Sequence, residues 1–278
     1  MKILVTGGQG QLGRELAAHL GADGWAPGRD ELDIERPDLL LTALMRFQPD
    51  TVIHAAALTD TRRCEDDPDL AERVNGFLAG KSAEICAAHG VAFVYVSTNE
   101  VFDGRKGSPY LETDPTSPVN AYGRSKLSGE RAVVAAHPAA KVVRTSWLYT
   151  FGGANFPSRI VAAARERPRL AVVTDERATP TWTRPLAAAL VRLAETPDGG
   201  TFHLSAGGSC SRFDWARLTL ELAGIATPVD ETTLEALQPY PPKPADTTLS
   251  NTRAAKLGIR LDQWERSFRD YAAAGGLA

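Results

Sequence analysis

The chain has 278 residues, 43% of them hydrophobic and 23% charged, with a formal net charge of -3. That is enough apolar material for one large core, and the mixed, nearly balanced charge leaves no basic stripe for nucleic acid. Three cysteines, Cys64, Cys86 and Cys210, show no metal-ligand spacing, so we expect neither a disulfide nor a bound metal. The first apolar run, Ile3 to Val5, is too short for a leader, and no run approaches the ~20 residues of a membrane span, so no membrane contact is expected and the cytoplasm is the default compartment.

In chain order, residues 2–6 (KILVT) read as a strand and 11–20 as a helix. Between them lies TGGQGQLG, with Gly7, Gly10 and Gly13 spaced G-x-x-G-x-x-G. Such a loop lets backbone N–H groups approach a diphosphate at a helix N-terminus, the signature of a dinucleotide site for NADP or NAD. The next turn reads APGRDELDI. Arg29 there suits an adenosine 2′-phosphate, adjacent Asp30 suits a 2′-hydroxyl, and Asp33 and Ile34 are placed to flank adenine; a plain surface turn is the competing reading.

A helix is expected over 37–47, a strand over 51–57, a long helix over 69–89 and a strand over 92–98. His54, at the end of an apolar strand, reads as structural. After a proline-rich stretch, a helix over 122–136 opens on NAYGRSK, which puts Tyr122 and Lys126 four apart on one face. An ammonium held close to a phenol favours the phenolate, so Lys126 is expected to bring Tyr122 towards a working pH. Thr98 ends its strand, and the carboxyl ends of strands line the crevice of a doubly wound sheet, so its hydroxyl is placed to share the oxygen that Tyr122 protonates.

A strand follows over 141–147. The alternation then thins, with LAVVTD (170–175) and TFHLSA (201–206) reading as later strands among helices and proline-rich loops such as YPPKP (240–244). Strands alternating with helices give a Rossmann-like, doubly wound parallel sheet. We expect it to occupy residues 1–150 with interleaved segments from about 170–205, and a smaller α/β lobe to fill most of 151–278, with a cleft between the two.

The stretches VTGGQGQLG, HAAALT, VSTNEVFDG, ETDPTSPVNAYGRSKLSGER and VRTSWLY, with Asn155 and Phe156 after them, together resemble the extended short-chain dehydrogenase/reductases. More closely they resemble the dTDP-4-dehydrorhamnose reductases, and the likeness spans nearly the whole chain. The resemblance implies NAD(P)H-dependent reduction of the 4-keto group of a nucleotide-linked 6-deoxyhexose. It implies Thr98, Tyr122 and Lys126 as catalytic residues, with Lys126 also on the nicotinamide ribose. It places Gly7, Gly10, Gln11, Leu12 and Gly13 on the diphosphate, Ala55, Ala56 and Ala57 beside the cofactor, and Trp147 and Asn155 near the sugar. Lys243 stands where the family carries an arginine near the nucleotide diphosphate. A homodimer is compatible with the family.

The chain departs from the pattern on the sugar side. Asn99 and Glu100 replace an acidic residue and an aromatic ring, and Arg62 stands where the family has an acid. A Glu100 to Arg62 ion pair across the cleft, or a new substrate contact, are both compatible with these changes. An epimerase on the same fold would need an added acid/base pair, for which His54 and Cys64 qualify by type. A non-catalytic, NADP-binding regulatory subunit is the third reading.

Overall fold

The computed structural model describes residues 1–277. The elements run β1 (Ile3–Thr6), α1 (Gln11–Leu20), β2 (Gly24–Trp25), α2 (Pro37–Phe47), β3 (Thr51–His54), α3 (Thr61–Asp66), α4 (Pro68–Ala71), α5 (Leu78–Ala88), β4 (Ala92–Thr98), α6 (Ala121–Ala136) and β5 (Lys141–Thr145). There follow β6 (Leu148–Tyr149), α7 (Phe156–Glu166), β7 (Leu170–Val173), β8 (Arg177–Ala178), β9 (Thr181–Trp182), α8 (Thr183–Ala194), β10 (Gly200–His203), β11 (Cys210–Ser211), α9 (Arg212–Leu222) and β12 (Val229–Thr232). Three helices close the chain: α10 (Leu234–Leu237), α11 (Thr252–Lys256) and α12 (Trp264–Ala273).

Six strands form one parallel sheet in the order β10-β5-β4-β3-β1-β2. Successive residues of each inner strand face opposite layers, as the period of two requires. Ile3, Val5, Ile53, Val94 and Val143 pack on α1 and α8, whereas Leu4, Val52, Phe93, Tyr95 and Val142 pack on α2, α5 and α6. Both faces are covered, which is why these strands read as unbroken apolar runs. From β1 the chain passes to β2 on one side and to β3 on the other. The loops leaving β1 and β3 therefore diverge at this switch point and open a crevice above the strand ends.

The later strand that returns to the sheet is β10, beside β5. The segment expected to interleave at 170–175 does not join it: β7 pairs instead with β12 and packs with α7 and α9. Its apolar residues, Leu170 and Val172, face Phe213, Ala216 and Leu220 of α9. A strand's affinity for one sheet over another is set by the surface it covers, and four apolar-rich residues carry no such address.

The helix expected over 69–89 is broken in three: α4, a π-helical turn (Glu72–Phe77), then α5. The wide turn carries buried Asn75, whose Oδ1 accepts from Leu58 N (2.8 Å) and whose Nδ2 donates to Leu58 O (3.0 Å) and to Ser125 Oγ (3.0 Å). It thus ties the loop after β3 to α6, between Tyr122 and Lys126. Such a turn projects a side chain that a regular helix would bury elsewhere.

Candidate active site

The residues singled out for cofactor or substrate line one cavity of about 850 Å³. Gly7, Gly10, Gln11, Leu12 and Gly13 form one end, Ala55, Ala56 and Ala57 the adjoining wall, and Arg29, Asp33 and Ile34 the rim beside them. Thr98, Glu100, Tyr122, Lys126, Trp147, Asn155 and Lys243 enclose the other end.

The glycine loop fits a dinucleotide's diphosphate. Gly7 holds φ at +76°, and a Cβ there would lie 2.8 Å from Ala56 N. At Gly13 a Cβ would lie 2.1 Å from the Gly7 carbonyl oxygen, so only glycine lets α1 start so close to β1. Gly10 caps α1 without a side-chain hydrogen bond, leaving the first-turn N–H groups and the positive end of the helix dipole for an anion. At the adenosine rim, exposed Arg29 donates to Asp33 Oδ2 (3.2 Å) and to Glu35 Oε1 (2.7 Å), and Arg73 reaches the same Glu35 at 2.9 Å.

At the other end, the backbone of Glu100 donates to Thr98 Oγ1 at 3.2 Å, and Asn99 Nδ2 donates to Thr247 Oγ1 at 2.6 Å, which fixes the strand end that presents Thr98. Tyr122 and Lys126 sit in the first two turns of α6, capped by Asn120, whose Oδ1 accepts from Gly123 N at 2.8 Å. Buried Lys126 donates from Nζ to Val96 O (2.8 Å) and lies 4.0 Å from the centre of the Tyr95 ring.

The electrostatics differ from the sequence expectation. Burial, and next the charge of Glu100, push the Tyr122 phenol upward, and only the Thr98 hydroxyl pulls it back. Desolvation brings the Lys126 ammonium down to about 7. Burial therefore dominates the Tyr122 phenol, and Lys126 is not among the groups that lower it.

The Glu100 to Arg62 ion pair is also absent. Exposed Arg62 turns to Asp66 at 4.0 Å and to the Tyr240 ring, while Glu100 Oε2 accepts from Asn120 Nδ2 at 2.7 Å. Neither His54 nor Cys64 lines the cavity. His54 Nδ1 lies 3.1 Å from Thr6 Oγ1, and burial drives its pKa down to about 3; the Cys64 thiol, buried, is pushed up to about 11. Lys243 bonds Thr61 Oγ1 at 3.1 Å on the cavity wall. The amide of Asn155 is committed to the fold: it caps α7 through Ser158 N and donates to Thr150 O at 2.8 Å. Among the described residues no group of three or more His, Cys, Asp or Glu is arranged to hold a metal ion. Among the described residues no helix is long and apolar enough to cross a membrane.

Sequence reading missed Arg212. Its guanidinium lies 3.6 Å from the centre of the Trp147 ring, is held by Glu176 through Nε at 3.1 Å, and lines the cavity with Arg159 and Phe156. No local pattern marks it, since Trp147 and Arg212 meet only through the packing of α9. Trp147 itself holds φ at +41°, a strained state for a bulky residue, which its stack with Arg212 and Trp215 sustains.

Residues 1–275 match the protein family described as the RmlD substrate binding domain. The chain belongs to this family. It is 36% identical to a dTDP-4-dehydrorhamnose reductase of Burkholderia thailandensis, over 95% of both chains, and 34% identical to the spore coat polysaccharide biosynthesis protein SpsK of Bacillus subtilis, over 97% of this chain and 96% of that one. A crystal structure of dTDP-4-dehydrorhamnose reductase from Bacillus anthracis in complex with NADP superposes with a TM-score of 0.94 at 30% identity, covering 99% of this chain and 100% of the other. The RmlD-family fold is therefore the Rossmann-type sheet described above, and the protein is an NAD(P)-dependent oxidoreductase of that family.

Proposed function

We propose that the protein reduces the 4-keto group of a dTDP-linked 4-keto-6-deoxyhexose, with NADPH, or NADH in its place, held along the glycine loop. The observation that carries this reading is the continuity of one cavity from Gly7, Gly10 and Gly13 to Thr98, Tyr122 and Lys126. A nicotinamide nucleotide bound there supplies the hydride; the chain supplies position and a proton.

Thr98 and Tyr122 hold the sugar's carbonyl oxygen. The raised affinity of Tyr122 for its proton keeps it a phenol at neutral pH, the form that donates as the oxygen gains charge. When that proton leaves, the new negative charge on Tyr122 raises the proton affinity of Lys126, so phenolate and ammonium appear together. Lys126 also reaches the nicotinamide ribose, and Arg29 with Arg73 offers charge for a 2′-phosphate once Glu35 is displaced. Trp147 and Asn155 shape the sugar end, and Lys243 lends charge to the substrate's diphosphate.

The test follows absorbance at 340 nm with NADPH, then NADH, and dTDP-4-keto-6-deoxyglucose made in place, with and without a 3,5-epimerase. Oxidation should require the keto-sugar, and Tyr122→Phe should lower kcat by about 10²–10⁴ while still binding NADPH. NADPH binding without turnover on either sugar would overturn the reading and favour the regulatory-subunit role.

A further inference from the structure

Glu100 brings a carboxylate to the reacting end of the cavity and lacks a countercharge there. Among the described residues no Lys, Arg or His lies within 4 Å of it, and its one side-chain partner is Asn120 Nδ2, on Oε2. Its other oxygen, Oε1, has no protein donor among those residues. The position is held from three directions. The backbone N–H of Glu100 donates to Thr98 Oγ1, Asn120 fixes the carboxylate, and a Cβ on Gly123 would lie 2.2 Å from the Glu100 carbonyl oxygen, so α6 starts directly against this residue. The same capping residue, Asn120, therefore orients both Glu100 and the helix turn that carries Tyr122.

We propose that Glu100 selects the sugar, by accepting on its free oxygen a hydrogen bond from the hydroxyl on the carbon next to the reacting carbonyl. This rests on the reduction described above and deepens it. Thr98 and Tyr122 hold the carbonyl oxygen at C4, and Glu100 is tied to Thr98, so its carboxylate meets the ring atoms flanking C4. In a 4-keto-6-deoxyhexose these differ in kind. C5 carries a methyl group, which offers no hydrogen bond, and C3 carries a hydroxyl. An ionised carboxylate is an acceptor only, and leaving it unpaired in a desolvated site is costly, so it belongs on the C3 side. A site built around such a bond rejects an analogue lacking the hydroxyl far more strongly than a shape-selective pocket does.

The experiment compares wild type and Glu100→Gln, each with a dTDP-4-keto-6-deoxyhexose that bears the 3-hydroxyl and with its 3-deoxy counterpart. Wild type should favour the hydroxylated sugar by about 100-fold or more in kcat/KM. Glu100→Gln, which keeps an oxygen for Asn120, should shrink that preference at least about tenfold, with NADPH affinity by fluorescence unchanged. A role in folding alone would lower both substrates equally and leave the ratio intact; an intact ratio, or a wild type that reduces both sugars equally well, overturns the proposal. A wild type that binds NADPH but reduces neither sugar overturns the reaction itself and the proposal with it.

Discussion

At Lys126 the folded and unfolded chains hold a proton with different strength. Desolvation lowers its pKa from 10.5 to about 7 in the fold. Between those values the unfolded chain binds more protons than the native one, so stability rises with pH from about 7 to about 10.5 and is least below 7. Lys126→Met removes the burden of a buried charge. In the absence of nucleotide its unfolding free energy should exceed that of wild type by roughly 2–4 kcal/mol at pH 6.5, with the gap closing towards pH 10, even though it loses activity. Denaturant melts of both proteins at several pH values check this; a gap that does not change with pH would show that Lys126 keeps its ordinary proton affinity in the native cavity and stays charged there. A residue whose removal stabilises the fold is a residue kept for its chemistry, and that separates Lys126 from the many lysines that decorate helices.

The first βα unit shows how one element places a ligand site. β1 delivers the chain to Gly7, whose positive φ reverses it against Ala56, and α1 then starts in contact with the Gly7 carbonyl. Gly13→Ala sets a Cβ 2.1 Å from that oxygen, a backbone atom that can yield only if the loop moves. Overpacking of this kind costs about 1–3 kcal/mol. We expect the melting temperature to fall by about 5 °C and the NADPH dissociation constant to rise at least about tenfold. Calorimetry and fluorescence titration measure the two, and an unchanged affinity would count against diphosphate binding at this loop. The π-helical turn works differently: Asn75 satisfies both polar groups of Leu58, so the Ala55 to Leu58 wall is fixed by a neighbour rather than by its own dihedrals.

Across the whole molecule two histidines are buried without charge. His54 ends β3 beside Thr6 of β1, and His203 packs beside Arg144, which is itself bound to Glu130 through Nε at 2.9 Å and Nη2 at 2.7 Å. Burial drives the pKa of each to about 3, and for His203 the Arg144 charge adds to it. Between 3 and the ordinary value near 6.5 the unfolded chain binds about two more protons than the native one, so stability falls as pH drops through this window. The expected slope is about 2 kcal/mol per pH unit between pH 5 and 6. His203→Asn should roughly halve it. Urea unfolding at stepped pH gives the slope, and a flat profile would mean that the two rings stay protonated in the fold.

The sequence alone determined the alternation of strands and helices, the glycine loop and the Thr98, Tyr122, Lys126 set, because each rests on local chemistry: a period of two or four, a turn only glycine can make, a spacing that shares one helix face. Tertiary structure decided what depends on packing between distant segments. It drew β7 away from the main sheet, broke the helix at 72–77, and set Arg212 on Trp147. It also turned Arg62 outward and left Glu100 facing the cavity, and it reversed the expected tuning of Tyr122. The physical reason is common to them all: burial and long-range contact set the energy of a charge or a strand edge, and neither is written in the residues adjacent to it.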